Sequence, residues 1–452
     1  MKYSDLYYSL THKYERDFSA LADFEKKCPE GAFVDVGAGF GRLLDLPSAR
    51  PKLLLESSPD MIARLQVRIL DSSHHKIIAG NAMSMPLSDS SVMGLTYANN
   101  AMCEMKPTFF ALAEASRVLQ YRGGIFISAQ DPNWKPAASS GPFIRNVDGA
   151  DCTLRIDCFS TPLFAPYGFF THISANEREL DYQFYISQTF PSLDFWKIML
   201  SGFQFDSVEI LDEQTNRPIT EETSQVGIVA FKGAGKPEIF QQSLCDLYDS
   251  LAPSYSDILQ KAQYAVPDWL NSLCQPFANL HVEVLDLGCG TGIVGEILSV
   301  NNCIAKVYGI DFSEQMLSIC RTKQHYAGLA KADLSLGVPL AESACFDIIS
   351  ACGVLEFLPN ISLVLSDIRR MLRIGGEAWL CFELSAPQSG PHGLFDPSAR
   401  GIRWHYTSEQ IANLLAEAKL HVCSQKEVIG YRRILAGHEV PYLLVQAKRT
   451  EL

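Results

Sequence analysis

The sequence predicts two consecutive α/β units in one chain, each a mostly parallel β-sheet with helices on both faces. Three observations carry this expectation. Residues 33–41 read FVDVGAGFG and residues 284–292 read VLDLGCGTG, each an apolar run, an acid, then glycines at alternate positions. The first glycines, Gly37 and Gly288, lie 251 residues apart, and three later landmark pairs each lie 252 apart: Asn81 with Asp333, Glu104 with Glu356, and Gly123-Gly124 with Gly375-Gly376. A chain of 452 residues exceeds one ordinary core and suits two domains of roughly 220 residues.

The elements follow in the same order in each half. Aromatic helical segments come first, YSDLYYSLTHKYERDFSALADF and LCDLYDSLAPSYSDILQKAQYAVPDWLNSLC. A buried strand, FVDVG or VEVLDLG, runs into the glycine loop, and a helix follows. A second strand ends on an acid, Glu56 in KLLLE and Asp311 in KVYGID. A third ends at Asn81 or Asp333. The fourth, SVMGLTYA or FDIISAC, is continuously apolar, as a strand covered on both faces must be. A helix ending in the Gly-Gly turn precedes the fifth strand, IFISA or EAWLCFE. Strands alternating with helices predict a parallel sheet.

The halves diverge after the fifth strand. Residues 151–231 hold four strand-like runs, CTLRIDCF, LDYQFYISQTF, FDSVEIL and QVGIVAF, which predict an added antiparallel layer in the first unit. In the second, residues 384–406 read as a Pro/Gly/His-rich loop, followed by the helix TSEQIANLLAEAKL and a terminal hairpin. Glycines and a proline near residues 231–242 place the boundary between units 1–235 and 236–452.

The net charge of −13 is spread evenly, with 21 Lys+Arg against 28 Asp+Glu in residues 1–235 and 17 against 23 in the remainder. Neither half has the basic surplus that a phosphate backbone demands, so nucleic acid is not an expected partner. The 13 cysteines include no C-x-x-C pair and no His/Cys cluster at metal spacing, which predicts free thiols, a reducing cytoplasmic compartment and no metal. The polar, aromatic N-terminus carries no signal-peptide pattern, and no apolar stretch approaches the ~20 residues that span a bilayer.

Glycines directly after a buried strand let the backbone approach a ligand where a Cβ would clash. The ligand then sits at the carboxyl end of the sheet. Glu56, 19 residues after Gly37, and Asp311, 23 after Gly288, are placed to accept hydrogen bonds from ribose hydroxyls. Asn81 and Asp333 are placed to meet an adenine amino group. Two cofactors use this logic. A dinucleotide requires G-x-G-x-x-G, matched once, at Gly290–Gly295, two residues late relative to the strand. S-adenosylmethionine enzymes favour D/E-x-G-x-G-x-G, matched twice: Asp35, Gly37, Gly39 and Gly41 in one half, Asp286, Gly288, Gly290 and Gly292 in the other.

On these motifs both halves resemble class I S-adenosylmethionine-dependent methyltransferases. The resemblance is tightest over 284–382, through VLDLGCGTG, VYGIDFSEQML, KADLSLGVPL and FDIISACGVLEFL. Its ends, Tyr248-Asp249 to Tyr255 and Trp404 to Lys448, look like the DREV-like or TPR-associated subgroup. The first half, with NERELDYQFYISQT, is similar to small-molecule N-methyltransferases and departs from the pattern at Glu56-Ser57-Ser58, at Asn81 and at VMG opening its fourth strand. The resemblance implies two Rossmann-like domains, S-adenosylmethionine as cofactor and a small-molecule acceptor.

The acceptor chemistry rests on fewer residues. Glu104 and Glu356 follow the fourth strand, where a carboxylate orients or neutralises an amine, or merely caps a helix start. Asn99 and Asn100 read as substrate contacts or as a turn. His405 reads as a general base for a hydroxyl or as a packed surface histidine, and His172 as a strand residue. Tyr7, Tyr8, Tyr14, Tyr248 and Tyr255 cap the cofactor or belong to the core. With no His/Asp pair legible, N-methylation is the expected reaction, with successive methylations by the two units. The alternatives are O-methylation with one degenerate unit, a non-catalytic scaffold and a nicotinamide-dependent oxidoreductase.

Overall fold

In the computed structural model, which describes residues 19–45, 50–70, 74–98, 101–105, 107–131, 139–147, 150–160, 168–177, 180–189, 193–233, 241–340, 342–384, 392–396, 400–433 and 438–450, the chain divides into two units, Met1–Pro237 and Glu238–Leu452.

The first unit opens with helix α1 (Ser19–Lys27) and strand β1 (Phe33–Val36), buried at all four positions. Then come β2 (Lys52–Glu56), α2 (Pro59–Arg68), β3 (Lys76–Ala79), β4 (Val92–Tyr97), α3 (Ala101–Glu104), α4 (Thr108–Val118) and β5 (Leu119–Gln130). Ser58 caps α2 through the Met61 N–H, and Pro59 follows at the first helical position, where its missing N–H costs nothing. Strands β6 (Ser139–Val147), β7 (Ala150–Ser160), β8 (Gly168–Glu177) and β9 (Leu180–Thr189) precede α5 (Leu193–Gly202), β10 (Phe205–Asp212) and β11 (Gln225–Lys232). The main sheet runs β3-β2-β1-β4-β5-β11-β10, parallel through β5 and antiparallel at its last two strands.

Two of the four strand-like runs expected to form an added layer, FDSVEIL and QVGIVAF, therefore complete the main sheet as β10 and β11. β11 pairs with β5, which buries Val226, Ile228 and Val229, and β10 pairs with β11 at the sheet edge; no local pattern announces this. The added layer is a separate antiparallel sheet, β6-β7-β8-β9, which begins at Ser139, before the expected 151.

Phe24 of α1 packs on Phe33, Phe126 and Phe231 at ring distances of 5.7–6.0 Å. Beside this cluster Lys52 and Glu25, both buried, form an ion pair at 3.1 Å.

The second unit repeats the plan. It comprises α6 (Gln242–Leu251), α7 (Tyr255–Lys261), α8 (Val266–Cys274), β12 (His281–Leu287), α9 (Ile293–Val300), β13 (Ile304–Asp311), α10 (Glu314–Thr322), β14 (Tyr326–Lys331), β15 (Phe346–Ala351), α11 (Ile361–Met371) and β16 (Leu372–Glu383). Then follow β17 (His392–Asp396), β18 (Gly401–His405), α12 (Ser408–Glu417), β19 (His421–Arg432) and β20 (Glu439–Lys448). The sheet order β14-β13-β12-β15-β16-β20-β19 matches the first unit position for position. Strand β12 lies between β13 and β15 and is buried from Val284 to Leu287, the pattern of a strand covered on both faces.

The Gly-Gly pairs lie inside the starts of β5 and β16, where each strand's register shifts against its neighbour. Thr407 and Gln410 form a reciprocal capping box at the start of α12, as T-S-E-Q predicts. The stretch 384–406, expected as a loop, contains the β17–β18 hairpin. β18 is held by packing against the turn Leu355–Phe357 and by Gln241, contacts that lie far away in sequence. No helix among the described residues is long and apolar enough to cross a membrane.

Candidate cofactor site

The glycine loop of the second unit connects β12 to α9. Gly288 and Cys289 donate their N–H groups to the Ile310 carbonyl at 2.8 and 3.0 Å, which holds the loop against the end of β13. One residue on, the Asp311 carboxylate takes the Gly290 N–H on Oδ2 and the Ser313 N–H on Oδ1, both at 2.8 Å. Burial raises the Asp311 carboxyl to about 6 despite these donors. The six loop glycines, Gly37, Gly39, Gly41, Gly288, Gly290 and Gly292, all have left-handed φ. At Gly288 the reason is also steric: a Cβ would lie 2.6 Å from Val354 Cβ. At Gly290 a Cβ would meet only Tyr255 Cε1, at 3.8 Å, so this glycine faces open space.

That space is an open cleft whose empty volume, counted out to its mouth, is about 880 Å³. Gly288–Thr291 form its floor and Asp311 and Asp333 stand on its wall. Asp333 accepts the Ser335 N–H at 2.8 Å, which fixes its carboxyl at the end of β14. Tyr248, Tyr255, Tyr264, Phe312 and Phe357 supply the aromatic wall. Tyr248 packs against Tyr255, Phe312 and Phe357 at ring distances of 5.8–5.9 Å. Asp249 accepts from Ser313 Oγ and the Gln315 N–H, which ties α6 to the start of α10. The Tyr248-Asp249 segment thus contributes one ring to the cleft and one carboxylate to its frame.

Asp286 stands elsewhere. It is 2% exposed beneath the loop and takes the Tyr326 hydroxyl at 2.6 Å and the Ser350 hydroxyl at 2.7 Å. It joins β12 to β14 and β15 rather than lining the cleft. Burial raises it to about 7, and buried Asp35 in the first unit is raised equally. An acid whose folded pKa is raised stabilises the fold fully below its unfolded value and loses that contribution as pH rises through the folded one. Asp286 therefore costs the second unit stability between about pH 4 and pH 7. Asp286→Asn keeps the side-chain shape and is expected to be the more stable protein at pH 8 by roughly 2–4 kcal/mol. The gain should vanish at pH 4 in urea unfolding; an equal effect at both pH values would show that ionisation is not the cause.

The first unit reproduces the loop tether with a longer acid. Glu56 Oε2 accepts the Gly39 N–H at 2.8 Å, and Oε1 accepts from Ser57 and Ser58 at 2.9 and 2.8 Å. Asn81 accepts the Met83 N–H at 2.9 Å, the turn that Asp333 makes in the second unit. Glu104 ends α3, beside the glycine loop, where Ala101 and Met105 approach Gly37. Tyr7, Tyr8, Tyr14, Asn99 and Asn100 lie outside the described residues.

Glu356 sits in the turn Leu355–Phe357 behind the cleft wall and is 3% exposed. Its Oε1 takes the Tyr442 hydroxyl at 3.0 Å, and its Oε2 has no hydrogen-bond partner among the described residues. Burial, together with the nearby Glu383 charge, raises it to about 7. His405 Nε2 lies 2.9 Å from Glu383 Oε1.

Sequence reading missed Gln241, Tyr264, Glu383 and Arg403. Gln241 lines the cleft and joins three segments, its amide donating to the Phe357 and Ile402 carbonyls and accepting from the Ile402 N–H. No local signal marks it. Glu383 had one: it is an acid ending the fifth strand at the sheet's carboxyl edge.

A family model described as a methyltransferase domain matches residues 34–127 and again residues 285–380. Each unit of the chain thus holds a stretch similar to the methyltransferase domain, 94 and 96 residues long. The two matches to the methyltransferase domain begin on β1 and β12 and end within β5 and β16, so each covers a glycine loop and its parallel strands. A demethylmenaquinone methyltransferase of Leptospira interrogans is 34% identical over 116 residues, 24% of this chain and 47% of that protein. A ubiquinone biosynthesis O-methyltransferase of Dechloromonas aromatica is 30% identical over 120 residues, 25% and 48%. The chain spans about half the length of these curated relatives. An S-adenosylmethionine-dependent methyltransferase of Clostridium acetobutylicum aligns over 51% of this chain and 97% of its own, at 11% identity and a TM-score of 0.41. The methyltransferase cofactor is S-adenosylmethionine, and the second unit's cleft fits it. Asp311 and Asp333 offer carboxylate acceptors for ribose and amino groups, Gly290 leaves room for close approach, and the aromatic wall suits an adenine face.

Proposed function

We propose that the chain is an S-adenosylmethionine-dependent methyltransferase that acts on a small molecule, with transfer in the cleft of its second unit. The observation that carries this reading is the Asp311 carboxylate, which stands on the cleft wall while clamping the Gly290 N–H. Asp311 receives the ribose hydroxyls and Asp333 the adenine amino group. Bound there, the cofactor supplies a methyl group on a positively charged sulfur. The protein supplies alignment and dryness. Tyr248, Tyr255 and Tyr264 exclude water from the reacting end.

The first unit supports a second cofactor site, because Glu56 holds Gly39 as Asp311 holds Gly290. Successive methylations remain the reading for two competent units, in a cytoplasmic protein with no nucleic acid or membrane partner. The expectation of an amine acceptor rested on the absence of a legible His–acid pair, and His405 with Glu383 supplies one. Calorimetric titration with S-adenosylhomocysteine tests the reading. Two sites are expected in the unaltered protein and one in Gly37→Arg. A single site lost only by change at Gly288 would make the first unit structural, and no heat at all would leave a scaffold.

A further inference from the structure

We propose that the Cys352 thiol, on the wall of the second unit's cleft, is a site of oxidation by peroxides, and that Cys381 behind it closes a disulfide that weakens cofactor binding. The site stands on the placement of the two thiols; its consequence rests on the cofactor reading above.

Cys352 directly follows β15, and Cys381 lies on the neighbouring parallel strand β16. The register of these strands ends at Ala351 opposite Leu380, so the next step sets Cys352 opposite Cys381. Cys352 donates its S–H to the Trp379 carbonyl at 3.7 Å, and the Cys381 thiol hydrogen-bonds to Cys352. Both thiols are free. Cys352 is half-buried and lines the cleft, whereas Cys381 is fully buried behind it. Two other hydrogen-bonded thiol pairs stand in the second unit, Cys289 with Cys320 and Cys274 with Cys303. All four of those residues are buried. Burial holds the Cys289 thiol well above its ordinary range, so it stays protonated and inert although it borders the cleft. Among the described residues, Cys352 and Cys381 are therefore the thiol pair that a small oxidant reaches from the cleft. Hydrogen peroxide is small and uncharged, so the carboxylates of Asp311 and Asp333 on the same wall do not repel it.

With a peroxide as oxidant the chemistry balances. The Cys352 sulfur takes one peroxide oxygen as the O–O bond breaks, and its thiol proton leaves with the other oxygen as water. The product is a sulfenic acid. The Cys381 sulfur then displaces the sulfenic oxygen to form the S–S bond, and that oxygen leaves with the Cys381 proton as a second water. The sulfurs together lose two electrons, which the peroxide gains.

Neighbouring strands stand about 4.8 Å apart, while bridged cysteines hold their Cβ atoms about 3.8 Å apart. The bond therefore draws the end of β15 towards β16. The next two residues are cleft wall. A Cβ on Gly353 would come within 3.0 Å of the Tyr264 hydroxyl, and Val354 Cβ lies 2.6 Å from where a Cβ on Gly288 would stand. A wall packed this closely on the aromatic side and on the glycine loop does not shift without changing the room for the cofactor.

The full chain, freed of reductant, is treated with hydrogen peroxide and digested without reduction. Mass spectrometry should find the peptides of Cys352 and Cys381 linked, with the loss of both thiol hydrogens. The S-adenosylhomocysteine site that Gly288→Arg abolishes should weaken on the order of tenfold or more in the oxidised protein, and dithiothreitol should restore it. Restoration separates the thiols from Met316, which also lines the cleft, because dithiothreitol does not reduce a methionine sulfoxide. In Cys381→Ala, dimedone, which traps sulfenic acids, should label Cys352. The link is read in the unaltered protein, so the test does not depend on how that variant folds. No link, a link between other cysteines, or unchanged S-adenosylhomocysteine affinity in the linked protein overturns the proposal. Failure of the reduced, unaltered protein to bind S-adenosylhomocysteine overturns instead the cofactor reading on which the consequence rests.

Discussion

Gly288→Arg is expected to abolish measurable S-adenosylhomocysteine binding by the second unit. Two costs combine. The residue has φ +70°, which an L side chain adopts only at about 1–2 kcal/mol. Its first side-chain carbon would also lie 2.6 Å from Val354 Cβ, on the segment that forms the far wall of the cleft. Relieving that overlap moves either the loop or the wall, at about 1–3 kcal/mol. Together these correspond to a loss on the order of 10²–10³-fold, before the guanidinium itself enters the site. Gly290→Ala is the informative contrast. It carries similar backbone strain at φ +51°, but its methyl enters open space with Tyr255 at 3.8 Å. A calorimetric affinity for Gly288→Arg within tenfold of the unaltered protein would remove the loop from the site.

In the first unit the largest effect belongs to Lys52. Its ammonium is the buried cation facing Glu25, and it also counters the charge of Asp35 on the neighbouring strand. Replacing one partner of a buried pair leaves the other charge uncompensated, which costs about 3–5 kcal/mol. Lys52→Met should therefore destabilise the first unit by that amount, with protection of β1 and β2 amides from hydrogen exchange falling in step. Adding Glu25→Gln should restore much of the loss, because the isolated charge is gone. Unchanged exchange in Lys52→Met would show that the pair contributes nothing to stability. The wider packing of Phe24 on Phe33 and Phe126 is left intact by either change, so the effect reads electrostatics rather than volume.

Most of the frame was legible because it is local. The loop acids and glycines and the strand-end acids Glu56 and Asp311 each follow from spacing within a few residues. The positions of Asn81 and Asp333 were legible for the same reason, since each turn closes on a backbone N–H two residues on. What sequence could not show was pairing across distance. Asp286 looks like a ligand-binding acid in DLGCGTG, yet its partners, Tyr326 and Ser350, come 40 and 64 residues later. Gln241 reaches Ile402 across 161 residues. His405 reads as an isolated histidine until the strand end at Glu383, 22 residues earlier, is brought beside it. The β10 and β11 runs were recognisable as strands, but their place in the main sheet depends on β11 pairing with β5, more than 90 residues before, and on β10 pairing with β11.

Gln241 also decides where the two units can be cut apart. The stretch that signals a boundary, residues 231–242, ends just past it. A second unit begun at residue 238 would retain the amide that joins Phe357 to Ile402, whereas one begun at 242 would lack it and leave two carbonyls and an N–H at the cleft wall without this partner. Two truncations four residues apart would then appear to disagree about how well the isolated unit works, although every motif of its fingerprint is present in both.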